Sequence, residues 1–270
     1  MKHDGWTTAK LVSWFLLSMI AGLLLMPYFH NEYSAPEFPL YQAVIWVVIG
    51  ITIGIVFWFI MMKYAKNSLL APFSLSVGYF CAKMAAVFGA KGIAPLVAAF
   101  VGGSLLYVWT VVSMRKSWTL TRRLMPLSNV FMVCIMVGIG VMLGEYVPPL
   151  AAIIILALLA VYDGIAVWKT KHMQSWAEAL CKQRVIPGLA VARKEEEQFA
   201  LLGGGDVFFI IFVAGSFWKT SPLLAFASLV GMSLSVLVLF LLSKKKTYYP
   251  ALPFILAAEL GVLAAAWVAL

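Results

Sequence analysis

Residues 149–168 read PLAAIIILALLAVYDGIAVW, and residues 201–217 read LLGGGDVFFIIFVAGSF. Both are apolar runs of the kind that cross membranes, and each holds a single acid, Asp163 in the first and Asp206 in the second. The chain has only one other aspartate, Asp4. An ionisable side chain in hydrocarbon is costly, so acids in two neighbouring spans mark a functional site before anything else is known.

The rest of the 270-residue chain has the same character. It is 63% hydrophobic and only 11% charged, with a mean hydropathy of +0.97, which excludes a soluble domain. Cutting it at charged or proline-rich breaks leaves nine runs close to the roughly 20 residues a spanning helix needs. They are residues 9–29, 41–62, 69–89, 93–114, 124–143, 149–168, 201–217, 222–242 and 250–270. The expected fold is an all-α integral membrane protein of nine transmembrane helices, a multi-pass protein of the cell membrane built as a single membrane domain. Residues 1–168 form a six-span part carrying Asp163. Residues 169–200 form a loop, partly amphipathic or disordered, and residues 201–270 a three-span part carrying Asp206.

The net charge of +9 invites a nucleic-acid partner, but its distribution argues otherwise. Of the 20 Lys and Arg, 17 fall in alternate connections on one side, only Lys91 and Lys219 on the other, and Lys83 within the third span. The positive-inside rule accounts for this with the N-terminus cytoplasmic and the C-terminus outside, and no nucleic acid is needed. Cys81, Cys134 and Cys181 lack metal-ligand spacing and read as packing residues, so neither a metal nor a cofactor is expected. The first apolar run has no clear small-residue cleavage site before Pro27, which predicts an uncleaved first span. In the long cytoplasmic loop, Met173, Trp176, Ala177, Leu180 and Cys181 recur at helical spacing and predict a helix on the membrane surface. The charge run from Arg193 to Glu197 predicts a solvated segment.

Asp163 lies about five residues from the cytoplasmic end of its span and Asp206 about five residues into its own, so both are about 7–8 Å deep at 1.5 Å per residue. Adjacent spans run antiparallel, and equal depth lets the two carboxyl groups face each other. Gly164 follows Asp163 and Gly203, Gly204 and Gly205 precede Asp206, which allows close backbone approach and weakens the helix start. Two neighbouring carboxylates repel, so one tends to keep a proton while the other is charged. Peptide hydrolysis needs that asymmetry: the charged member takes a proton from water and the protonated member polarises the scissile carbonyl. A cation or proton pathway can use the same acids, and geometry alone does not separate the two. A third feature, Pro250-Ala251-Leu252 followed by Pro253, predicts irregular backbone at the cytoplasmic start of the last span.

Taken in order, Tyr162-Asp163, Gly203-Gly204-Gly205-Asp206 and Pro250-Ala251-Leu252 resemble the YD, GxGD and PAL motifs of the presenilin and signal peptide peptidase family of intramembrane aspartyl proteases. GxGD alone is a weak pattern; the three together, in the sixth, seventh and ninth of nine spans, are a strong one. The resemblance implies that Asp163 and Asp206 are the catalytic pair. It further implies that Tyr162, Gly203, Gly205, Pro250, Ala251 and Leu252 shape the site and receive substrate, which is a transmembrane helix of another membrane protein in the bilayer. The charge asymmetry, and Ala166-Val167 after the YD pair, look more like presenilin than like signal peptide peptidase. The loop at 169–200 is far shorter than in animal presenilins, which puts self-cleavage there in doubt. The chain is most similar to archaeal presenilin homologues, which implies no obligate accessory subunits and leaves a homo-oligomer open.

Two further charges lie in spans. Glu259, near mid-membrane, is expected to be neutral or hydrogen-bonded, or to join a water path to the site; Lys83 is expected to snorkel outward or pair with an acid. Thr220, Ser221 and Pro222 read as a helix cap with a first-turn proline.

Overall fold

The computed structural model describes residues 5–32, 39, 41, 42, 45, 49, 70–87, 89–170, 177, 178, 180–192, 199–242 and 249–269. Its helices, in chain order, are α1 (Gly5–Glu32), α2 (Leu70–Val87), α3 (Ile93–Lys116), α4 (Trp118–Tyr146) and α5 (Pro149–Gly164). The last of these continues as a π-helical turn, Ile165–Lys169. A hairpin of β1 (Gly188–Ala192) and β2 (Phe199–Gly203) follows, then α6 (Gly204–Phe217), α7 (Pro222–Leu242) and α8 (Leu252–Ala269).

These eight helices match eight of the nine apolar runs; the run at 41–62 lies almost wholly outside the described residues. Among the described residues, five helical stretches are long and apolar enough to cross a membrane: Gly5–Phe29, Ile93–Lys116, Trp118–Tyr146, Pro149–Lys169 and Pro222–Phe240. Local chemistry sets several ends. Ser117 Oγ accepts the Leu120 N–H, and Thr121 Oγ1 donates to the Met114 carbonyl across the corner between α3 and α4. This cap starts α4 six residues before the expected boundary at 124, with the charged Arg122 and Arg123 exposed on its first turns. Pro149 opens α5, where its missing N–H costs nothing. The expected cap before α7 is present: Ser221 Oγ accepts the Leu224 N–H just ahead of Pro222.

The all-helical expectation needs one correction. Residues 188–192 and 199–203 form an antiparallel pair, with Gly188 opposite Gly203 and Ala192 opposite Phe199. Part of the expected loop is therefore strand, and the seventh run becomes helical only at Gly204, not at 201. The physical reason is burial without a helical period: Leu189, Ala190, Ala200 and Leu202 are all buried, and both strands pack on α1 and α6, with β1 also on α4. Extended backbone is tolerated there because protein encloses it. Residues 193–198, including the Arg193–Glu197 charge run, and residues 173–176 of the expected surface helix lie outside the described residues. Residues 180–182 are helical, with Leu180 buried.

The centre of the molecule is α6. From Ile210 to Phe217 every residue is buried, as befits a helix apolar on all sides. At 14 residues it is about 21 Å long, shorter than a typical hydrocarbon core. Helices α1, α4, α5 and α7 surround it. Its closest neighbour is α4, where a Cβ on Gly144 would stand 2.8 Å from the Phe212 carbonyl oxygen and 3.0 Å from the Gly215 Cα. Only glycine lets the two backbones meet at this point. At the same end Lys219 Nζ lies 3.0 Å from Glu145 Oε1 and donates to the Glu145 carbonyl, also at 3.0 Å.

Candidate active site

Helix α6 begins directly at the end of β2, with no loop between them. Gly203 is its N-cap and Asp206 sits in its first turn, where the unpaired N–H groups and the helix dipole favour an acid. The glycines before it serve different ends. A Cβ on Gly203 would lie 3.0 Å from Asp206 Oδ2, so the carboxyl occupies the space a side chain would take. A Cβ on Gly204 would stand 2.8 Å from both Met136 Cε and the Pro187 carbonyl oxygen, to which the Gly204 N–H donates at 2.9 Å. Gly205 has nothing within 4 Å of where its Cβ would be, leaving open space beside Asp206.

Asp163 lies in the last turn of α5, just before the helix loosens. The Ile165 N–H is shared between the Tyr162 and Val161 carbonyls, and the Thr170 N–H reaches back five residues to Ile165. Asp163 Oδ2 accepts the Leu252 N–H at 3.3 Å, with the Ala251 amide beside it. Leu252 is the first residue of α8, so its N–H has no partner within its own helix. Proline suits this join. Residues 249–251 are non-helical, and Pro253 falls in the first turn, where no intrahelical bond is forfeited. The irregular backbone expected at Pro250-Ala251 is thus present, and its first free amide is turned on Asp163.

Helix α5 packs on both α6 and α8, and the two carboxyl groups interact electrostatically. Asp163, Asp206 and Tyr162 are all partly exposed, while Pro250, Ala251 and Leu252 are buried. An open groove of ≈ 510 Å³ runs along the join of α5 and α8, lined by Ala160, Gly164, Ile165, Trp168, Lys169, Pro253 and Leu256. Its α5 wall brackets Asp163. Among the described residues no group of three or more His, Cys, Asp or Glu converges as a metal site would require.

One residue that supports the site escaped the sequence reading. Asn129, buried in the middle of α4, donates through Nδ2 to the Ala190 carbonyl at 2.8 Å and accepts the Ala190 N–H on Oδ1 at 3.0 Å. The amide thereby pairs β1 from its outer side as a further strand would. Ala190 sits opposite Leu201, so this is a pair without mutual hydrogen bonds, and Leu201 turns its own N–H and C=O away from β1. An asparagine in an otherwise apolar span was the available clue. The hairpin also had one: two five-residue apolar runs flanking a charged stretch.

Elsewhere, Glu259 accepts a hydrogen bond from Ser228 at 2.9 Å, and Lys83 Nζ lies 5.7 Å from the centre of the Tyr79 ring. Arg184, at φ 58, stacks its guanidinium 4.7 Å from the Trp118 ring and 5.4 Å from that of Phe199. This ties the start of β2 to the corner between α3 and α4.

The family model described as "Signal-peptide peptidase, presenilin aspartyl protease" matches residues 12–269. No curated protein matches the chain. Two crystal structures described as a presenilin family intramembrane aspartate protease, in space groups C222 and P2, share the fold. They superpose with TM-scores of 0.64 and 0.63 at 18% sequence identity, over 96% of this chain and 98% and 97% of theirs.

Proposed function

The chain belongs to the signal-peptide peptidase and presenilin aspartyl protease family, and from that premise we propose that Asp163 and Asp206 are its catalytic pair, hydrolysing peptide bonds within transmembrane segments of other membrane proteins. The observation that carries this reading is the convergence of three distant segments. The Asp163 carboxyl is held by the first amide of α8, and Asp206, delivered by a strand that runs straight into its helix, lies within electrostatic reach.

The chemistry is that of a shared-proton acid pair. The ionised aspartate takes a proton from water as the water oxygen attacks the scissile carbonyl carbon. The protonated aspartate gives its proton to the carbonyl oxygen, and the tetrahedral diol then collapses with proton transfer to the departing amine. Either carboxyl can hold the first proton, since the pair titrates as a unit. Tyr162 flanks Asp163, and the Leu252 amide orients one of its oxygens. Open space at Gly205 leaves room for a substrate backbone beside Asp206.

A helical peptide bond is shielded by its own hydrogen bonds, so substrate has to unwind. The outer edge of β2, where Leu201 points its backbone groups away from β1, receives the extended stretch by strand addition and leads it to Asp206. The groove between α5 and α8 receives apolar side chains next to Asp163. The Lys and Arg distribution puts the hairpin and both acids at the cytoplasmic side, with the N-terminus cytoplasmic and the C-terminus outside. Residues 1–168 and 201–270 each contribute one acid to a single membrane domain, joined by residues 169–200. The enzyme acts in a cell membrane without obligate accessory subunits.

Purified protein incubated with a transmembrane substrate tests the reading. Wild type cleaves, and Asp163→Ala and Asp206→Ala do not. Equal cleavage by wild type and either variant, or no cleavage by wild type, contradicts it, and aspartate-dependent ion flux in liposomes points to a conduction pathway instead.

A further inference from the structure

Glu259 has no exposed surface and lies midway along α8, away from both aspartates in sequence and in helix position. Ser228 of α7, equally buried, donates to its Oε1 at 2.9 Å, while Oε2 has no hydrogen-bond partner. A buried carboxyl with one oxygen unpaired is costly to hold, and an apolar side chain of similar volume would fill the seam without that cost. Stability therefore does not explain an acid at this position.

Position on the helix does. Leu252, Ile255 and Glu259 form the buried face of α8, whereas Phe254, Leu260 and Gly261 are exposed. Glu259 is seven residues, or about two turns, beyond Leu252 on the same face. The same two helices touch again beside this bond: a Cβ on Gly231 would lie 2.5 Å from Val262 Cγ2. Because consecutive spans run antiparallel, the polar bond and the close contact fall in the same stretch of the seam, and together they define the rotation and the height of α8 on α7. A shift of one residue would rotate α8 by about 100° and swing the Leu252 amide off Asp163.

We infer that Glu259 is a positioning residue, whose hydrogen bond with Ser228 fixes α8 on α7 and so keeps the Leu252 amide on Asp163. This rests on the reading of Asp163 and Asp206 as the reacting pair. Glu259 acts here as a hydrogen-bond acceptor, so its charge is not required.

The full-length protein, assayed on a transmembrane peptide, provides the test through melting temperature, kcat, KM and affinity for a transition-state analogue. Glu259→Leu keeps the volume and removes the bond. Its melting temperature holds or rises and KM changes little, while kcat and analogue affinity fall about tenfold or more, the scale of one hydrogen bond to a charged group. Glu259→Gln, which still accepts from Ser228, restores most of kcat. Ser228→Ala lowers kcat in the same direction, and the double variant Ser228→Ala/Glu259→Leu is no worse than Glu259→Leu, since both remove one shared bond. Wild-type kcat in folded Glu259→Leu overturns the inference, as does Glu259→Gln being as slow as Glu259→Leu. If Glu259→Leu does not fold, an unchanged kcat in Ser228→Ala does the same. Failure of wild type to cleave, or full activity of Asp163→Ala, defeats the protease reading itself; an active wild type beside a fully active Glu259→Leu defeats only the positioning role.

Discussion

Replacing Asn129 by alanine should undock the hairpin that carries the chain into Asp206. The side chain makes two hydrogen bonds to one residue, Nδ2 to the Ala190 carbonyl at 2.8 Å and Oδ1 from the Ala190 N–H at 3.0 Å, and both residues are buried. Truncation leaves a backbone donor and a backbone acceptor without partners. At roughly 1–3 kcal/mol for each orphaned buried group, docking of β1 on α4 loses about 2–6 kcal/mol. With about 1.4 kcal/mol per factor of ten, the docked hairpin becomes at least about 30-fold less populated relative to the undocked form. Hydrogen exchange across residues 188–192 and 199–203 should accelerate, and kcat on a transmembrane substrate should fall with it. Asn129→Asp sharpens the comparison, since one oxygen still accepts from Ala190 but the other faces its carbonyl, and the variant should be no better than alanine. Wild-type exchange protection and wild-type kcat in Asn129→Ala would refute the reasoning, and so would an unimpaired Asn129→Asp.

Asp163→Asn and Asp206→Asn should each abolish cleavage while leaving melting temperature largely intact, read out by product formation and thermal unfolding in parallel. Gly144→Leu should lower the melting temperature and kcat together, because its Cβ would stand 2.8 Å from the Phe212 carbonyl oxygen; overpacking of this kind costs about 1–3 kcal/mol. Lys219→Met should destabilise by about 3–5 kcal/mol by taking the ammonium away from the buried Glu145 carboxylate, and Lys219→Met/Glu145→Leu should recover much of the loss. Denaturation of both variants in the same detergent checks that pair; a single variant as stable as wild type would contradict it.

The sequence could be read wherever a residue's cost or period was strong. Long apolar runs marked the helices, Ser221 and Pro222 marked the start of α7, and Asp163 and Asp206 stood out because acids are expensive in hydrocarbon. It could not be read where two explanations shared one pattern. Phe199-Ala200-Leu201-Leu202 is as good a start for a membrane helix as for a buried strand, and only pairing with β1 and enclosure by α1 and α6 decide between them. Ser117 moved the start of α4 past two arginines because a cap and an exposed face outweigh charge as a boundary marker. The roles of Asn129 and Ser228 were invisible for another reason. Each depends on a partner 61 or 31 residues away, and no local spacing encodes that pairing.

The two acids are mounted in unlike ways, and this bears on how their separation is set. Asp206 opens a helix enclosed almost from end to end. That helix is locked to α4 through Gly144 and Gly215, pinned at its far end by Lys219 on Glu145, and fed by a hairpin that Asn129 and Arg184 hold in place. Asp163 stands where α5 passes from α to π hydrogen bonding, on a face where Val161, Ile165 and Trp168 are exposed, and it is held by the first amide of α8. A π turn exchanges one hydrogen-bond register for another at little cost, which makes it a natural place for a helix end to shift. Helix α8 in turn is indexed to α7 through Ser228 and Glu259. On the proposed reading, a change in the geometry of the pair is expected from the Asp163 side, at the π turn of α5, rather than from the enclosed α4–α6 unit. The groove between α5 and α8 lies beside that turn, with Gly164, Ile165 and Trp168 in its wall.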